Sequence, residues 1–143
     1  MGFGERTIGA QLIASAGGTV VYVALVLPML ATTPVDEIEW VWPMIWTIVG
    51  SIAASIVLNI GWGIVAGARD RETGKASDQR DREIRWFGDR IGQAFLVLGG
   101  VAGLLLAMLD ADPFWIGNAL FLGFFLSAFI GGSARLIAYR RGF

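Results

Sequence analysis

The side chains able to do chemistry in this 143-residue sequence are few, and they fall into two sets. The first is a ladder, Ser51, Ser55, Asn59 and Gly63, spaced four residues apart inside a long apolar run. That spacing puts all four on one stripe of a helix. Asn59 is the strongest group on it, because an amide in hydrocarbon needs a hydrogen-bond partner. Two uses fit the stripe. A hydrogen bond from Asn59 to Ser55, Ser127, Asn118 or a second copy would be packing, and this is the plainer expectation. Alternatively, Ser51, Ser55 and Asn59 line a small oligomeric channel or carrier and meet an ion or solute.

The second set is the charged stretch ARDRETGKASDQRDREIRWFGDR, residues 68–90, with seven basic and six acidic residues. Its charges nearly cancel, so it lacks the net positive patch that nucleic acid requires, and no direct nucleic-acid binding is expected. Ser77 reads as a helix N-cap with Asp78 in the first turn. Asp78 with Arg82 and Asp81 with Arg85 are four-residue ion pairs of favourable polarity. Ile84, Phe87 and Ile91 share one face. The stretch therefore reads as a helix that starts in water near Ser77 and enters the membrane at Trp86. Its functional use would be contact with a cytoplasmic or membrane protein partner through Arg80, Asp81, Arg82, Glu83, Ile84 and Phe87. Its plainer use is solubility. Arg69, Arg71, Arg90, Arg140 and Arg141 are placed to meet anionic lipid headgroups.

The run SDQRDREIRWFGDRIG, residues 77–92, resembles the charged DERD/DERE-like signature of the DUF2178-type family, which are small prokaryotic multispan membrane proteins. In that family the signature immediately precedes a transmembrane helix. The resemblance makes Asp78, Arg80, Asp81, Arg82, Glu83 and Ile84 the family-typical residues, with Gln79 standing where the common pattern has Glu. It implies a bacterial or archaeal membrane protein of unassigned activity, and a regulatory partner.

The absent residues narrow the chemistry further. Without cysteine there is no disulfide exchange, thiol nucleophile or thiolate metal site. Without histidine there is no imidazole haem ligand or imidazole base. No Asp, Glu, Lys or Arg lies deep in an apolar run, where proton-coupled carriers keep a relay. Asp110 and Asp112 read as loop acids. The expectation is a protein with no catalytic residues, no metal and no cofactor.

These groups are positioned by four apolar runs, approximately residues 8–31, 40–66, 91–109 and 114–134. Hydrophobic residues make up 55% of the chain and charged residues 16%, against about 25% charged in an ordinary soluble domain. Each run is near the roughly 20 residues that cross about 30 Å of hydrocarbon. The first is too long for the apolar core of a cleaved signal peptide. Pro28 is expected to kink the first span or tighten its last turn, and Asp112 with Pro113 to open the fourth.

All 11 Lys and Arg residues fall before the first run, between the second and third, or after the fourth. The other two connections carry only Asp36, Glu37, Glu39, Asp110 and Asp112. By the positive-inside rule both termini and the 67–90 segment are cytoplasmic. Trp40, Trp42 and Trp115 should anchor the outer boundary, and Trp86 and Tyr139 the inner one. Small residues recur on every span, including Gly99 and Gly103 on the third and Gly123, Ser127 and Gly131 on the fourth. They call for close helix packing, within the chain or in a homo-oligomer, with a dimer favoured.

The fold expected is all-α, a single integral four-helix bundle of the cell membrane, with its third helix extended into the cytoplasm. Its role is expected to be that of a scaffold, accessory or regulatory subunit.

Overall fold

The computed structural model describes residues 3–66 and 76–141, with side chains over 5–64 and 79–141. The chain is an all-α, multi-pass membrane protein, a bundle of four helices long and apolar enough to span. They are α1 (Phe3–Thr32), α2 (Val41–Ala66), α3 (Ala76–Met108) and α4 (Pro113–Arg141). α3 packs along α4, α4 against α1, and α1 against α2, so α2 and α3 are the outer members of the series. Gly67, Arg69, Arg71, Gly74 and Lys75 lie outside the described residues.

α1, α3 and α4 are longer than the apolar runs that announce them, and α2 matches its run to within one residue. α3 has 33 residues, about 50 Å at 1.5 Å per residue, against a hydrocarbon thickness of about 30 Å. Counting back about 20 residues from Asp110, the membrane boundary falls near Asp89. The first three turns of α3 therefore project beyond the hydrocarbon. The helix is described from Ala76 onward, next to the expected cap at Ser77. The side chains of Ser77 and Asp78, and with them the Asp78–Arg82 pair, lie outside the described residues. α1 runs unbroken through Pro28, whose carbonyl accepts a hydrogen bond from the Thr32 hydroxyl at 3.1 Å.

The α3–α4 hairpin is built by local chemistry at both ends of a four-residue turn. Ala111 N–H donates to Leu106 O at 3.0 Å and Asp110 N–H to Ala107 O at 3.2 Å, the paired bonds of a Schellman motif. Asp110 takes the left-handed conformation this motif requires, with φ 52°. Asp112 then accepts the Phe114 N–H on its carboxylate at 2.8 Å, as an N-cap with Pro113 in the first helical position. The expected cap is present.

The hairpin can close because glycines line its seam. A Cβ on Gly99 would lie 2.5 Å from Gly123 Cα, and one on Gly92 would lie 2.7 Å from Ser127 O. One on Gly131 would lie 2.8 Å from Gly88 O, and one on Gly103 would lie 2.9 Å from a Leu120 methyl. The small residues of α3 thus face those of α4, backbone on backbone. At the acidic end the connection after α1 folds back as a short 3-10 turn, Val35–Glu37. It buries Ile38 with Tyr22, Val26, Met44 and Phe114.

Candidate functional site

Three of the polar contacts between α3 and α4 gather at the basic end. The Tyr139 hydroxyl of α4 donates to Asp81 of α3 at 2.8 Å, and Arg80 reaches the Tyr139 carbonyl at 3.5 Å. One turn nearer the membrane, Arg135 pairs with Asp89. The Arg135 stem lies across Gly88, where any side chain would collide with its Cγ. Ile84 is 0% exposed between these polar contacts. The projecting part of α3 is thereby fastened to α4 rather than standing free.

This divides the six residues singled out for partner contact. Ile84 is buried, Phe87 is half-buried, and Asp81 is bonded to Tyr139. Arg80, Arg82 and Glu83 are exposed, and Arg85, Trp86 and Arg90 extend that open face. Trp86 is 63% exposed, with the Arg90 guanidinium 5.2 Å from its ring centre, a cation–π contact at the membrane boundary.

The stripe on α2 is brought together only in part. Ser51 packs against Gly18 of α1, where a Cβ would strike its hydroxyl. Asn59 donates its amide to Ser55 O at 2.8 Å, inside its own helix. The amide is therefore occupied by local backbone, not by Ser127 or Asn118. Gly63 has open space where a side chain would begin. Beside the stripe an apolar groove of about 680 Å³ separates α2 from α4, walled by Thr19, Met44, Ser51, Phe121 and Phe124. On α3 and α4, Gly99, Gly103, Gly123, Ser127 and Gly131 all lie in the hairpin seam.

Two contacts escaped the sequence reading. The Tyr22 hydroxyl donates to Asn118 Oδ1 at 2.6 Å, and the Asn118 amide donates to Phe114 O at 2.8 Å. This is a membrane-embedded polar pair joining α1 to α4. The signal was a lone tyrosine in the first apolar run, whose hydroxyl needs a partner when buried. Trp40, expected as an outer anchor, turns inward. Its ring covers Gly117 and meets Phe114 edge-on at 6.2 Å, holding the start of α2 to α4.

Among the described residues, no three Asp or Glu side chains converge as metal ligands would. What the basic end can do chemically is bind, through exposed guanidinium, carboxylate and indole groups on a fixed helix. No family model, curated protein or solved structure matches this chain, and the family resemblance of residues 77–92 stands on its motif alone.

Proposed function

We propose that the protein is a non-enzymatic scaffold, accessory or regulatory subunit that docks a partner on the exposed face of α3 at the cytoplasmic side. The observation that carries this is the clamp of Tyr139 on Asp81 and Arg135 on Asp89. It orders a helix beyond the hydrocarbon, so Arg82, Glu83 and Trp86 are presented at little entropic cost. The test is recovery of partners from gently solubilised membranes, comparing the native chain with R82A/E83A. Loss of a specific partner with unchanged thermal unfolding supports the reading, and unchanged recovery sinks it.

The same reading includes a homodimer along α2. In the most apolar window of α2 only 6% of residues are buried, against 17% in each other helix, and Ile52, Ile56 and Ile60 are exposed along its open side while Ser55 and Asn59 are half-buried on the stripe that continues from Ser51. I56A/I60A should shift the monomer–dimer equilibrium in detergent, read by light scattering. The channel or carrier alternative predicts solute flux into liposomes that N59L abolishes, and such flux would replace the scaffold reading.

A further inference from the structure

A second groove, between α1 and α4 at the basic end, combines features that neither the α2 stripe nor the α3 face has. It encloses about 460 Å³, with apolar walls from Gly9, Ile13, Ala16, Phe129 and the Trp62 ring of α2. Its mouth is charged, formed by Glu5, Arg6 and Arg140. Ala16 and Phe129 also border the next groove along the helix pair, of about 470 Å³, walled by Val20, Val23 and Phe125. The two therefore adjoin end to end along the helix pair. From Gly9 to Val20 the track is about 17 Å long at 1.5 Å per residue, which is roughly one leaflet of a 30 Å core.

We propose that this groove holds one anionic phospholipid, with its phosphate between Arg6 and Arg140 and one acyl chain along Gly9, Ala16 and Phe129. The proposal does not rest on the docking role of α3. Charge complementarity selects the occupant. Glu5, 13% exposed, pairs with Arg140 through Nε at 3.3 Å, so one carboxylate is set against two guanidinium groups and the mouth stays positive. Arginine is suited to a phosphate because its planar fork can bind two oxygens. A free phosphate would leave the apolar walls unused. A second copy in the same orientation would bring its own arginine-rich end against this mouth, a like-charge contact.

Gly9 supplies a clean test, because a Cβ there meets nothing within 4 Å. G9L therefore starts its side chain in open space at the groove wall. The probe is Trp62, read as the difference in fluorescence between the native chain and W62F in phosphatidylcholine vesicles. Titration with chain-brominated phosphatidylglycerol should quench Trp62 at about fivefold lower mole fraction than brominated phosphatidylcholine, the preference expected of one well-placed guanidinium. R6Q should bring the two lipids together, and G9L should remove the saturable quenching by either. Equal quenching by both lipids in the native chain overturns the proposal. So does a native preference retained in both variants, reversal of quenching by soluble glycerol phosphate, or a Trp62 shielded from both lipids by protein.

Discussion

Tyr22 and Asn118 show how much one hydroxyl can decide inside a membrane. With no water to compete, removing the Tyr22 hydroxyl leaves Asn118 Oδ1 without its interhelical donor. Tyr22→Phe should cost about 0.6 kcal/mol, the average for such bonds between membrane helices, and at most about 1.7 kcal/mol. Reversible unfolding in mixed micelles would read it, and no measurable loss would make the bond incidental. Asp110 makes the opposite prediction. Its φ of 52° is a conformation glycine adopts without a Cβ penalty. Asp110→Gly should stabilise the α3–α4 hairpin by up to about 1 kcal/mol, read as a higher unfolding midpoint. Asp112 was legible because capping is local, depending on Asp–Pro at a helix start. The Tyr22–Asn118 pair was not, because its partners are 96 residues apart and only the packing of α1 on α4 brings them together.

Between helices, the glycines separate into those that touch and those that do not. Gly99 and Gly100 are neighbours in sequence, yet a Cβ on the first meets Gly123 Cα and on the second meets nothing within 4 Å. Gly99→Val should therefore force the α3–α4 backbones apart, at a cost of about 1–3 kcal/mol or more, as overpacking does elsewhere. Gly100→Val should be close to neutral, and protease sensitivity of the hairpin would distinguish them. Equal effects at both positions would mean that the seam does not carry the hairpin. The sequence showed these stripes on all four spans but not their pairing, because a four-residue repeat marks a face without naming what it faces. The ladder on α2 is the plainest example. It is as regular as the others, yet Ser51 packs on α1 while Asn59 turns to its own backbone and Gly63 stays open.

For the whole molecule, the four spans followed from hydrophobicity alone, and the charges sort with them. Arg80, Arg82, Arg85, Arg135, Arg140 and Arg141 gather where α3 begins and α4 ends, with Arg6 at the start of α1. Asp36, Glu37, Glu39, Asp110 and Asp112 occupy the opposite connections. Lys and Arg resist translocation, whereas acidic residues contribute little, so a bias of 11 to 0 predicts one orientation with the α3 extension inside the cell. A chain without cysteine can be tested directly, since a single introduced thiol is the only labelling site. Asp36 and Glu83 are both exposed and lie at opposite ends of the bundle. A membrane-impermeant maleimide should label Asp36→Cys on intact cells, and Glu83→Cys only after permeabilisation. The reverse pattern would place the arginine-rich end outside. It would remove the cytoplasmic docking surface while leaving the four helices, the glycine seam and the Tyr22–Asn118 bond as they are. Labelling of both positions from outside would mean dual insertion, in which case antiparallel copies could meet along α2 and the like-charge barrier to pairing at the basic ends would disappear.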